Sequence, residues 1–104
     1  MRDEIIIQHG TTMVRRLCLA PGEAMPWHRD PFQRVAVVLG GDRLSIEYRD
    51  GREPIAVQIA AGQVDWEGPS ERVHRAVNVG TQPYEPVTIF LLDRPDAVPQ
   101  PREE

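Results

Sequence analysis

Short stretches of apolar and β-branched residues, separated by Gly and Pro turns, follow one another along the whole chain. Residues 43–48 alternate Leu, Ile and Tyr with Ser and Glu, which is the period of a half-buried strand. Residues 34–39 are almost continuously apolar, as in a strand buried on both faces. The Asp50-Gly51 pair after the first of these runs predicts a hairpin. The other strand-like runs are 5–9, 13–19, 54–59, 63–66, 73–77 and 86–92.

This succession of about nine short strands, with a turn every 8–12 residues or so, is typical of an all-β sandwich or closed barrel. No segment shows the period of an amphipathic helix, and 104 residues make a single domain. Residues 1–10 are expected to supply an N-terminal strand segment and residues 11–93 the barrel. Residues 94–104 are rich in Pro and charge, which predicts a flexible tail.

Composition and charge exclude several classes of function. The 12 basic residues are all Arg and are spread along a chain of net charge −4, whereas nucleic-acid binding needs a concentrated basic face. No apolar run approaches the roughly 20 residues that cross a bilayer, and the N-terminus lacks the features of a signal peptide. The single cysteine, Cys18, fits a reducing compartment. We therefore expect a cytoplasmic protein without a nucleic-acid or membrane partner.

Candidate chemistry is concentrated in two segments that each place one histidine in a strand-like stretch between turn residues. His28 and Asp30 are two residues apart, so both side chains point to one face of an extended strand. His74 lies on a later strand, and inward faces of distant strands meet in a barrel interior. Two histidines and one carboxylate are the ligand set of non-haem Fe(II) sites, and they also suit Zn, Ni or Mn.

The spacing in both segments resembles the two signature motifs of the cupin superfamily. The residues in register are Gly22, His28, Asp30, Arg34 and Gly41 in the first motif and Pro69, Glu71, His74 and Asn78 in the second. This resemblance covers about residues 11–93. It implies a jelly-roll topology, an interior metal site and pairing of two copies through edge strands, hence a homodimer.

The chain departs from the cupin pattern in the spacing of the second motif, where Gly62 lies one residue too far upstream, and in residue type at three positions. Asp30 replaces the second histidine of the first motif, Arg34 replaces its glutamate, and Glu71 replaces a glycine of the second. A guanidinium cannot ligate a metal and repels one. Either Arg34 pairs with Asp30, which favours a metal-free pocket, or it turns aside and Gln33 or water fills the position.

Three functional hypotheses follow. The first is a metal-dependent enzyme or metalloprotein acting on small organic acids, in which His28, Asp30 and His74 bind Fe, Zn, Ni or Mn and Arg34 attracts the substrate. The second is a metal-free ligand-binding or regulatory module that binds an anionic small molecule through Arg34. The third is a structural barrel whose role is dimerisation.

Three further residues are candidates for contact with a small-molecule ligand. Trp27 and Trp66 each lie beside a motif residue, and either one could line the mouth of the pocket or pack in the core or a dimer interface. Asn78, four residues after His74, shares its strand face and could orient a ligand or the backbone.

Overall fold

The computed structural model describes residues 1–104, which form nine β-strands and no helix. The strands are β1 (Arg2–His9), β2 (Thr12–Cys18), β3 (His28–Asp30), β4 (Gln33–Gly40), β5 (Arg43–Tyr48), β6 (Ile55–Gln58), β7 (Val64–Glu67), β8 (Ser70–Asn78) and β9 (Glu85–Leu91). The structure contains no helix that is long and apolar enough to cross a membrane.

The strands form two antiparallel sheets whose inner faces enclose one cavity. The five-stranded sheet has the order β1-β2-β9-β4-β7, and the four-stranded sheet has the order β3-β8-β5-β6. The cavity is lined by side chains of both sheets, for example Phe90 from the first and Leu44 from the second. The prediction of an all-β fold is confirmed.

The hairpin predicted at Asp50-Gly51 joins β5 to β6, which pair in register from Arg43 opposite Gln58 to Ile46 opposite Ile55. Gly51 has a φ of +87°, a left-handed conformation that a residue with a Cβ adopts only with strain. The carboxylate of Asp50 accepts a hydrogen bond from the backbone N–H of Arg52, as in an Asx turn. Local sequence therefore determines this connection.

The C-terminal residues 94–104 lie against the barrel, which differs from the flexible tail expected from composition. Ala97 is 4% exposed and belongs to a core cluster with Met13, Phe90 and Leu92. Further along, the backbone N–H of Glu103 donates to the carbonyl of Trp27 at 2.8 Å. Composition could not predict this docking, because a few anchoring contacts, rather than a periodic apolar pattern, hold the segment.

Candidate functional site

His28 and His74 lie directly opposite each other on the adjacent strands β3 and β8. Their ring centroids are 4.7 Å apart. The register of the two strands shifts between His28 and Asp30, and the Asp30 carboxylate lies close to an edge nitrogen of both rings. His28 and Asp30 are almost completely buried, with 4% and 2% of their surface exposed. The structure thus brings together the three residues that the sequence predicted as metal ligands.

A single oxygen of Asp30 is the focus of the site. Its Oδ2 atom lies 2.7 Å from Nε2 of His74 and 3.5 Å from Nε2 of His28. Nη2 of Arg34 lies 3.3 Å from the same oxygen. Of the two arrangements considered for Arg34, the structure has the one in which it pairs with Asp30. A second contact, from Nη1 of Arg34 to the carbonyl of Gly68 at 3.3 Å, helps to hold the guanidinium there.

Backbone carbonyls determine which nitrogen of each imidazole faces Asp30. Nδ1 of His28 lies 2.7 Å from the carbonyl of Pro26, and Nδ1 of His74 lies 2.7 Å from that of Arg72. Because a carbonyl only accepts hydrogen bonds, each Nδ1 carries a proton and donates it. Both Nε2 atoms therefore point toward the carboxylate, which is how second contacts orient metal-binding histidines.

Mutual attraction shifts the pKa values of Asp30 and His74 in opposite directions. Burial, the largest single influence, raises the pKa of Asp30. The His28 and His74 imidazoles, with Arg34 and Gln100, together hold it well below the usual range of an aspartate. The hydrogen bond to Asp30 raises the pKa of His74, which outweighs the opposite effect of burial. In the absence of a metal, a shared proton thus links His74 to Asp30.

The same three residues fit a divalent metal ion. One ligand atom from each of His28, Asp30 and His74 can be chosen so that all lie within 4.8 Å of one another. Two imidazole nitrogens and one carboxylate oxygen form the 2-His-1-carboxylate donor set, which leaves coordination positions open. Arg34, whose Nη2 contacts the carboxylate of Asp30, opposes binding by its charge.

The site opens into a cavity of about 430 Å³. One part of the cavity wall is apolar and another part is acidic. Apolar side chains such as Ile46 and Val57 line part of it, whereas Asp65 and Glu67 point inward from β7. Tyr84 lies near these carboxylates. Its burial, and to a smaller extent the charges of Glu67 and Asp65, raise the pKa of Tyr84 to about 12. The sequence pattern did not predict this acidic wall, because β7 turns its apolar residues Val64 and Trp66 outward.

The three residues predicted to contact a ligand lie outside the cavity lining. The ring of Trp27 is contacted by the guanidinium of Arg75 at 4.4 Å. Trp66 is 64% exposed on the outer face of β7, where its Nε1 donates to Gln33 at 2.7 Å. Asn78 is buried and donates hydrogen bonds to the carbonyls of Leu19 and Gln82. Its contacts are all with the backbone.

One residue near the site comes from the C-terminal segment and was not identified from the sequence. Nε2 of Gln100 donates to Oδ1 of Asp30 at 2.7 Å. A glutamine among prolines carries no motif or periodicity that would mark it as part of a site. Its position depends on how the last residues pack on the barrel.

Comparison with known proteins identifies the fold of this chain. No protein-family model matches the sequence, and neither does any curated protein. Among solved structures, a cupin domain from Bordetella pertussis superimposes with a TM-score of 0.76 at 20% identity, over 86% of this chain and 91% of that one. An uncharacterized conserved protein with a double-stranded β-helix domain from Klebsiella pneumoniae gives 0.70 at 20% identity, over 99% and 84%. A cupin-like protein from Thermotoga maritima gives 0.69 at 16% identity, over 97% and 74%. This chain therefore has the cupin fold.

Proposed function

We propose that the protein is a small metalloprotein that holds one divalent metal ion through His28, Asp30 and His74 and acts on a small organic acid in the adjoining cavity. The observation that carries the proposal is the convergence of both Nε2 atoms on Oδ2 of Asp30, with each Nδ1 held by a backbone carbonyl. Such an ion supplies a Lewis acid with open positions for substrate or water. Iron, zinc, nickel and manganese all suit this donor set.

The charges along the cavity limit the substrates that fit. Arg34 lies beside Asp30 and offers a guanidinium to an anionic group that enters the site. Asp65 and Glu67 line the same cavity from β7 and repel a second anionic group. This arrangement favours a substrate with a single carboxylate at one end and a neutral, hydroxyl-bearing or cationic remainder. The cavity volume of about 430 Å³ suits a small molecule.

Metal retention tests the proposal. The purified protein is loaded separately with Fe(II), Zn(II), Ni(II) and Mn(II), the iron under anaerobic conditions, and is then dialysed and analysed for metal. At least one ion should remain near one equivalent per chain in wild type and in His9→Ala, whose histidine lies on the exposed strand β1. His28→Ala should lose it. A wild-type protein that retains none of the four ions contradicts the proposal.

A metal-free module that binds an anionic molecule through Arg34 is the second candidate, and the pairing of Arg34 with Asp30 is the observation that favours it. It predicts that small carboxylates or phosphates raise the melting temperature of protein kept in a chelator. The Arg34→Glu variant should lose that shift. If the shift persists in the variant, or appears only with metal, this second candidate is excluded.

A further inference from the structure

The C-terminal segment carries a side chain that reaches the only carboxylate of the candidate metal site. Gln100 lies ten residues beyond Phe90 of β9, in a stretch without regular secondary structure. Its Nε2 atom donates to Oδ1 of Asp30 at 2.7 Å. Because Oδ2 faces the two imidazoles, the two oxygens of Asp30 have separate partners.

The orientation of the Gln100 amide is set by a second contact on its other side. Nη2 of Arg15 donates to Oε1 of Gln100 at 3.0 Å. An arginine can only donate, so the amide must turn its oxygen toward Arg15 and its NH₂ toward Asp30. Arg15 is in turn held by Asp3, which accepts from Nε at 3.0 Å and from Nη2 at 2.9 Å. A chain of hydrogen bonds thus runs from Asp3 on β1 through Arg15 on β2 and Gln100 of the C-terminal segment to Asp30.

The segment on either side of Gln100 is anchored independently of this contact. Ala97 is buried in the core cluster beside Phe90. On the other side, the backbone of Arg29 donates to the carbonyl of Pro101 at 3.1 Å, and the Arg29 side chain pairs with Glu103. Gln100 is therefore held between two fixed points, and its amide lies at the site without having to draw the segment there.

We propose that Gln100 is a positioning residue: it fixes the Asp30 carboxylate so that Oδ2, and not Oδ1, faces the ligand position between His28 and His74. Residues 94–104 are on this account part of the site rather than an appendage. The expected effect of Gln100 on metal affinity rests on the proposed function, whereas its hydrogen bond to Asp30 does not. Partners that orient a ligating side chain typically contribute about 10–100-fold to metal affinity.

The first arm of the test measures metal affinity by competition with a chelator. Gln100→Met keeps the length and volume of the side chain and removes both hydrogen bonds, so its affinity should fall about 10–100-fold. Val98→Ala is the matched control, because Val98 lies in the same segment but is 60% exposed. Its affinity should equal that of wild type. Equal affinities in Gln100→Met and wild type overturn the proposal.

The second arm examines the contact in metal-free protein. The side-chain NH₂ resonances of Gln100, assigned by their absence in Gln100→Met, should exchange with solvent far more slowly than those of Gln58, which is exposed on β6. Equally fast exchange overturns the proposal. If wild type shows slow exchange but retains none of the four metals after loading, the proposed function is overturned and the Gln100–Asp30 contact is still supported.

Discussion

Oδ2 of Asp30 lies 2.7 Å from Nε2 of His74, although 44 residues separate them in the sequence. The antiparallel pairing of β3 with β8 creates this contact, and the buried setting of Asp30 strengthens it. A proton joins the two groups in the metal-free protein. A divalent ion bound to both would take the place of that proton, so stability, pH and metal affinity are coupled at this pair.

The stability of the metal-free protein should depend on pH through this pair. Folding raises the pKa of His74. The stabilisation that protonated His74 gives to the folded state is therefore complete below its pKa in the unfolded chain, about 6.5, and is lost as the pH rises through its pKa in the folded protein. Since the pKa of Asp30 is lowered, its contribution is complete above about 3.9 and is lost on acidification. Urea unfolding in the presence of a chelator should therefore give a higher free energy of unfolding at pH 6 than at pH 8.

Two variants identify the source of that pH dependence. Asp30→Asn removes the charge that raises the pKa of His74, so the decrease in stability between pH 6 and pH 8 should become smaller. His9→Ala should leave the decrease unchanged, because His9 lies on the exposed strand β1. A decrease of the same size in Asp30→Asn would assign the effect to other groups.

Arg34→Glu should increase metal affinity. The substitution removes a positive charge 3.3 Å from the carboxylate of Asp30 and supplies the glutamate of the cupin pattern. Charges a few ångströms apart near a protein surface interact by several kcal/mol, so we expect at least about a tenfold increase, or ~1.4 kcal/mol. Isothermal titration calorimetry measures it, with Arg43→Glu as an exposed control for net charge. Weaker binding in Arg34→Glu would show that the guanidinium assists the metal rather than opposing it.

Asn78→Ala should destabilise the fold and leave metal affinity unchanged. Its side chain donates to the carbonyls of Leu19 and Gln82 and accepts from the N–H of Gly80. Because buried polar groups left without a partner cost about 1–3 kcal/mol each, we expect the free energy of unfolding to fall by about 3 kcal/mol. Chemical denaturation measures the loss, and Gln82→Ala, whose side chain is exposed, is the control. A loss of metal affinity at unchanged stability would place Asn78 in the site.

We also expect the protein to form a homodimer, and one row of the five-stranded sheet offers a surface for it. The strand pairings place one apolar residue of each strand in a row across the outer face of this sheet. In the order of the strands, the row consists of Ile7 on β1, Val14 on β2, Ile89 on β9, Val35 on β4 and Trp66 on β7. Flat apolar sheet faces pack readily against each other. A second copy covering this row would bury Trp66, which is 64% exposed in the single chain.

Sedimentation velocity tests this expectation. Wild type should sediment as a dimer, and Trp66→Arg should shift toward the monomer because it places a charge at the β7 end of the contact. Val98→Arg introduces the same charge at an exposed position of the C-terminal segment and should remain dimeric. A wild-type protein that is monomeric at micromolar concentration, or a Trp66→Arg variant that stays dimeric, contradicts the proposed surface.

Local sequence was sufficient to predict much of this molecule. The Asp50-Gly51 hairpin follows from turn chemistry, and the alternation in residues 43–48 matches β5. The spacing of His28 and Asp30 predicted that both side chains share a face, and the barrel brings His74 to them. These features depend on short-range geometry and on a strand period of two.

The remaining features depend on long-range packing that no local pattern encodes. Gln100 reaches Asp30 only because the C-terminal segment docks through Ala97 and through backbone contacts. Glu67 faces the cavity because β7 is the edge strand of its sheet and turns its apolar positions outward, which reverses the usual expectation for alternation. Trp27 and Trp66 adjoin motif residues in sequence, but neither lines the cavity.

The most direct measurement is the metal content of the protein as purified, determined by elemental analysis for wild type, His74→Ala and His9→Ala in parallel. The account predicts close to one equivalent of a single divalent metal per chain in wild type and in His9→Ala, and almost none in His74→Ala. Metal retained in His74→Ala, or absent from wild type even after reconstitution, would contradict the assignment of His28, Asp30 and His74 as the ligands.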